Sequence, residues 1–253
     1  MVFFSLFPLM IYGLIWGSFL TVVGLRAPMK QPFVFSRSCC PNCQHALSPK
    51  ELVPLFSMLF QKGKCRHCKH PIALLYPLTE ITTAFLLVMN FLWTQPDWIE
   101  FTNLFLLLSF GTVFSISDLT TQILPDKIMG LFLTTVFLFQ LLAHPETISY
   151  YLLCGVGFFS FFYLFYLLFP DSIGGGDVKY YGILGFLLGY QTTVLALLLA
   201  CSAACIFYFP VYLSNKRSKV QPIPFAPFIS LGAYVAFLIS PLFFNYLTVF
   251  FLF

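Results

Sequence analysis

The chain has 253 residues, of which 59% are hydrophobic and 9% charged, with a net charge of +4 and a mean hydropathy of +0.89. A water-soluble fold carries about 25% charged residues to cover its surface, so this composition excludes a soluble domain and makes lipid the main solvent. No water reaches the bilayer core to satisfy peptide groups, and the apolar stretches are therefore expected to be helices.

Uncharged runs occupy residues 1–25, 81–96, 101–117, 128–143, 147–169, 180–215 and 220–253. The first lacks the basic n-region of a cleavable signal peptide and is expected to be a retained span. A span needs about 20 residues, with partly polar flanks allowed, so the first five runs are single spans or cores of spans. The run 180–215 has room for two short ones, with Gly189-Tyr190-Gln191 as the turn. The last run opens on Pro222, Pro224 and Pro227 and then leaves one long span. The expected fold is an all-α, polytopic transmembrane helix bundle of about eight spans. It divides into a first span (1–25), a cytoplasmic loop (26–76) and a transmembrane domain (77–253).

Lys and Arg gather on the cytoplasmic side of membrane proteins. Eight of the 13 basic residues fall in the loop after the first span, which is therefore placed inside. Alternation puts Lys127, Lys179 and the Lys216-Arg217-Lys219 cluster on the same side, and Asp97, Glu100 and Glu146 opposite. An odd number of spans between 180 and 215 would break this pattern, and both termini are expected to face outward. There is no sign of a repeat or a low-complexity tail.

Five of the eight Cys crowd into that loop, while Cys154, Cys201 and Cys205 lie singly in apolar runs as small hydrophobes. Cys40-Pro-Asn-Cys43 and Cys65-Arg-His-Cys68 are two Cys-x-x-Cys knuckles at zinc-ribbon spacing, so that four thiolates complete the tetrahedron zinc favours. Two disulfides are the weaker reading in a reducing cytoplasm. Cys39 is an alternative to Cys40, although the two-residue spacing favours Cys40. His45, His67 and His70 are expected to be solvated, because four thiolates already close the site. Such a site does no chemistry; it staples a loop too small to build a core.

Three of the nine carboxylates end or begin apolar runs on the cytoplasmic side: Asp118, Asp126 and Asp177. Ionisable groups at membrane depth are costly and often functional. Asp126 follows Pro125 and Asp171 follows Pro170, which suits ordinary helix starts. Asp177 follows Gly174-Gly175-Gly176, which lets the backbone bend and approach another group closely. Two carboxylates held together in a low-dielectric site share one proton, leaving one as base towards water and the other as acid. That arrangement hydrolyses a peptide bond without a metal or a covalent nucleophile.

Several segments together resemble the bacterial type IV prepilin peptidases, membrane aspartic proteases of the Gly-x-Gly-Asp type. They are Gly17-Ser18-Phe19-Leu20-Thr21-Val22-Val23 with Arg26 and Pro28, the two Cys knuckles, Gly63-Lys64-Cys65-Arg66, Tyr76-Pro77-Leu78-Thr79-Glu80, Leu124-Pro125-Asp126, Gly174-Gly175-Gly176-Asp177-Val178-Lys179 and Pro224-Phe225-Ala226-Pro227-Phe228. The resemblance implies that Asp118 and Asp177 are the catalytic pair, Asp118 lying eight residues before Asp126. Gly174, Gly176, Lys179, Pro125, Asp126 and Glu80 are the supporting motif positions, Glu80 either supporting a site or anchoring a helix end. It further implies a bacterial cell-membrane protease that removes the short basic leader of prepilins or pseudopilins at the cytoplasmic face. Many members also methylate the new N-terminus using S-adenosylmethionine. Expected partners are these precursors and membrane lipids, with no nucleic acid, and cofactors are structural zinc and the methyl donor. The chain departs from the family's pattern at Thr21, where Asn is usual and which bears on methylation, and near Asp118, where two acids often occur. The competing readings are a transporter whose intramembrane Asp residues relay cations, disfavoured by the lack of repeated halves, and an inactive structural subunit of a pilus or secretion assembly.

Overall fold

Apolar runs do become helices. The computed structural model of the chain describes residues 2–34, 37–95, 97–169, 172–213 and 223–252, and among these no strand forms beyond two isolated bridges in the cysteine loop. The helices are α1 (Val2–Arg26), α2 (Phe56–Phe60), α3 (Leu75–Trp93), α4 (Trp98–Thr121), α5 (Asp126–Ala143), α6 (Ile148–Leu168), α7 (Gly175–Leu213) and α8 (Ala226–Leu252). All except the short α2 are long and apolar enough to cross a membrane, seven in number. The expected basic cluster Lys216-Arg217-Lys219 and the helix start at Asp171 lie outside the described residues.

The chain forms two compact units, Met1–Phe101 and Thr102–Phe253. In the first, α1 and α3 pack through small residues. A Cβ added at Gly13 would sit 2.6 Å from Ala84 Cα, and one at Gly17 would sit 2.9 Å from Thr79 O. Helices in lipid gain little from apolar burial against one another and associate instead by such close backbone contact.

The second unit is centred on Phe114, Phe132, Tyr180 and Leu184, with Phe110 stacked on Phe132 at 4.4 Å and Phe114 edge-on to Tyr180 at 4.9 Å. Around this core the surface is apolar. Of the 21 residues of α6, only Gly155 and Phe162 are buried. A helix apolar all round with so little buried needs lipid to cover it.

Helix α7 is broken where the sequence places a turn. Gly189 has φ 76° and ψ 180°, a conformation nearly confined to glycine. Across the break, Thr193 Oγ1 lies 3.3 Å from Leu184 O, nine residues back, which a continuous helix would separate by about 13 Å. On α8, Ser230 meets Tyr180 while Gly232 abuts Ala196 and Ala200. Residues from both arms therefore meet one short stretch of α8, and α7 is a hairpin with arms 175–188 and 190–213. Counting each arm gives the eight segments expected from the sequence. Gln140 Nε2 donates to Phe186 O (3.2 Å) and Leu187 O (2.8 Å), and Tyr190 N–H donates to Tyr150 OH (3.2 Å). These bonds satisfy peptide groups that the break would otherwise orphan.

Candidate active site

Asp118 lies in the last turn of α4 and is 8% exposed. Its Oδ2 accepts the N–H of Ala226, the first residue of α8, at 2.8 Å, and the Phe225 N–H also reaches the carboxylate. The first N–H groups of a helix have no internal partner and carry partial positive charge. Asp118 thus caps a helix 108 residues away in sequence. Asp177 is the third residue of α7, its N–H bonded to Gly174 O at 3.0 Å and its carboxylate receiving the Gly174 N–H. Asp177 also lies within electrostatic reach of Asp118. The fold therefore brings together two carboxylates, each seated on the N-terminus of a different helix.

The glycines before Asp177 have separate reasons. A Cβ at Gly176 would sit 2.9 Å from Leu124 Cβ, and one at Gly174 would lie 3.3 Å from Asp177 Oδ2, whereas one at Gly175 meets nothing within 4 Å. The outer two positions are constrained and the middle one is free, which is the Gly-x-Gly-Asp pattern written as sterics. Gly176→Ala is expected to destabilise the protein by about 1–3 kcal/mol through overpacking, and Leu124→Ala in the same chain should restore the lost melting temperature. No recovery in the double variant would mean that Gly176 serves something other than room for Leu124.

Asp126 begins α5, as the Pro125-Asp126 pair suggests, but its side chain does not cap the helix. Pro125 occupies the cap position of α5, and Asp126 makes no capping bond. Its Oδ1 instead meets Lys179 Nζ at 2.5 Å. This ion pair ties α5 to α7 two residues beyond Asp177. Its side chains are 79% and 48% exposed, so it contributes position more than stability.

A further connection lies one helical turn beyond the aspartates. Tyr180 OH and Ser230 Oγ are 3.0 Å apart, and Ser230 Oγ also approaches Gly111 O at 3.2 Å. Tyr180 is one turn along from Asp177, and Ser230 one turn along from Ala226. Helices α4, α7 and α8 are thereby cross-tied just beyond the pair. Sequence reasoning missed all three residues: Tyr180 and Ser230 show only a polar tip within an apolar run, and Gly111 contributes a backbone carbonyl that carries no such signal.

Glu80 and Thr21 belong to the first unit. Glu80 Oε2 accepts the Leu55 N–H at 2.9 Å, and the Ser18 hydroxyl also reaches Glu80. Thr21, fully buried, faces Thr79 with their hydroxyl oxygens 2.5 Å apart. The segments around Gly17 and Tyr76-Pro77 are thus one packed contact between α1 and α3.

The four thiols of Cys40, Cys43, Cys65 and Cys68 all lie within 4.8 Å of one another. Cys40 Sγ and Cys68 Sγ are 3.8 Å apart and Cys43 Sγ and Cys65 Sγ 4.0 Å. A tetrahedron with Zn–S bonds of about 2.3 Å requires sulfurs ~3.8 Å apart, so the donor set fits zinc, and these distances exclude disulfides. The two knuckles repeat each other at an offset of 25 residues. Cys40 N–H bonds His45 O as Cys65 N–H bonds His70 O, and Gln44 and Lys69 both have positive φ. A hydrogen bond from the Asn42 side chain, then one from the His70 N–H, draws the Cys68 thiol down to about 6. At Cys43 the His45 N–H pulls the same way, but desolvation and the three neighbouring thiols outweigh it and push the thiol up to about 11. Four thiolates cannot share this space without a cation. Cys39 Sγ is turned to Gln44 Oε1 at 3.6 Å, and His45 and His67 pack on each other with ring centres 3.6 Å apart.

Comparison with known proteins covers both units. The family model for the Bacterial Peptidase A24 N-terminal domain matches residues 11–94, and that of the Type IV leader peptidase family matches residues 105–209. The prepilin leader peptidase/N-methyltransferase of Bacillus subtilis (strain 168) is 31% identical over 230 residues, which cover 91% of this chain and 92% of that protein. The protein of the same name from Aeromonas salmonicida (strain A449) is 31% identical over 259 residues, covering 90% and 88%. That from Vibrio cholerae is 30% identical over 241 residues, covering 90% and 94%. No solved structure gives a significant match.

Proposed function

The chain belongs to the type IV leader peptidase family, and from that premise we propose that it is a multi-pass enzyme of the bacterial cell membrane that removes the leader from type IV prepilins or pseudopilins, with Asp118 and Asp177 as its catalytic pair. The observation that carries this reading is the convergence of two carboxylates on two helix N-termini within one membrane unit. In the reaction one carboxylate takes a proton from water as its oxygen adds to the scissile carbonyl carbon. The other gives a proton to the departing amine as the C–N bond breaks. The two helix N-termini and the Tyr180–Ser230–Gly111 tie hold the carboxylates in place through this exchange, so that little reorganisation accompanies proton transfer.

The names of the relatives support a second activity, methylation of the new N-terminal amine, for which S-adenosylmethionine would supply the methyl group. Zinc, held by Cys40, Cys43, Cys65 and Cys68, would be structural, since four thiolates leave no open position. The test is to reconstitute the chain with a pilin-like precursor and S-adenosylmethionine and read product masses. The expected product lacks its leader and carries one added methyl group. An unshortened precursor in the presence of folded, zinc-loaded protein would reject the proposal.

A further inference from the structure

Helix α2 sits in the cysteine loop and exposes its apolar side chains: Phe56 at 54%, Leu59 at 72% and Phe60 at 84%. These are positions i, i+3 and i+4, one face of a single turn. Phe56 and Phe60 line a depression of about 880 Å³ together with five basic side chains, Lys50, Lys62, Lys64, Arg66 and Lys69. Its one acid, Glu51, is engaged by the Ser48 N–H (2.9 Å) and hydroxyl (2.8 Å).

The depth of α2 is fixed by a bond already described. Leu55, immediately before α2, donates its N–H to Glu80. Glu80 is five residues into α3, about 7.5 Å along a helix that is long and apolar enough to span the bilayer. The start of α2 is therefore held alongside the first turns of a membrane helix, not out in the cytosol.

We propose that α2 and its basic rim form a membrane-binding face, on which Phe56, Leu59 and Phe60 enter the headgroup–acyl boundary and the five cations meet anionic phospholipid headgroups. Apolar side chains flanked by Lys and Arg at the interface are the chemistry of surface-lying helices. Charge separates this occupant from the others at hand. A basic leader would be repelled by five cations, and so would the sulfonium of a methyl donor. The zinc knuckles then act as a rigid plate that lies on the leaflet from which the loop emerges.

The experiment uses the full chain with Trp16, Trp93 and Trp98 changed to Phe and with Phe60→Trp, in nanodiscs of phosphatidylcholine alone or mixed with phosphatidylglycerol. Zinc content verifies the fold. The expected indole emission is blue-shifted, protected from aqueous acrylamide and quenched by lipids brominated high on the acyl chain. Protection should grow with the anionic share. That dependence should vanish at 1 M salt, where the screening length is about 3 Å, and in a Lys62→Glu, Lys64→Glu, Arg66→Glu variant. As a second readout without any Trp change, amide exchange over residues 55–62 of the wild-type chain should be slower in the anionic nanodiscs. Water-like emission and unchanged exchange in both lipids, with zinc retained, would overturn the proposal. So would protection that arises only when a precursor peptide or S-adenosylmethionine is added.

Discussion

Asp118→Asn and Asp177→Asn are each expected to reduce precursor cleavage on the order of 10⁴-fold, with the protein still folded and in the membrane. Asn keeps a side-chain carbonyl that can accept the N–H of Ala226 or of Gly174, so neither helix start loses its cap. What it cannot do is take or give the proton that water attack and amine departure require. Because the two groups act as one unit, the double variant should be no worse than either single one. Asp118→Leu makes a useful contrast, since it also strips the cap from α8 and should cost about 1 kcal/mol of stability on top of the lost cleavage. Asp126→Asn should still cut. Its partner is Lys179, the pair is largely solvated, and its loss should reduce activity only in part.

The second large effect concerns the metal. Purified protein is expected to carry about one zinc per chain, and Cys40→Ser, Cys43→Ser, Cys65→Ser and Cys68→Ser should each lose it. Structural zinc sites contribute about 10–16 kcal/mol of binding free energy to the folded state, so the loop between α1 and α3 should lose its structure with the ion. Cys39→Ser should keep zinc, because its thiol is directed to Gln44 and not to the cluster. Elemental analysis decides the matter. Zinc retained in Cys40→Ser and lost in Cys39→Ser would reverse the ligand assignment.

The parts of this structure that could be read in advance are those written in local pattern. Uncharged runs announced the membrane helices, and Gly189 within a run too long for one span announced the turn. The thiol spacing announced the four-sulfur cluster, because a Cys-x-x-Cys turn aims both its sulfurs at one point. The same local logic ends where partners are far apart in sequence. Nothing within a few residues of Asp118 reports that its carboxylate will hold the start of α8, 108 residues on. Pro125-Asp126 reads as a helix start, and it is one, yet the carboxylate goes to Lys179, 53 residues away, because the close approach of Leu124 to Gly176 brings α5 against α7. Glu80 reads as supporting a site or anchoring a helix end, and its bond to the Leu55 N–H, 25 residues back in the chain, is a contact that no local pattern reports. The two hydrogen bonds that join Tyr180, Ser230 and Gly111 depend on three helices meeting, which no periodicity encodes.

The central claim, that Asp118 and Asp177 together cut a pilin-type precursor, is tested most directly by the mass of that precursor after reconstitution with the wild-type chain, with Asp118→Asn or with Asp177→Asn at matched membrane levels. The account predicts a product short by its leader with the wild-type chain alone and intact precursor with both variants. Full cleavage by the Asp177→Asn protein would contradict it, and cleavage that survives in Asp118→Asn but disappears in Asp126→Asn would assign the partner carboxylate to Asp126 instead.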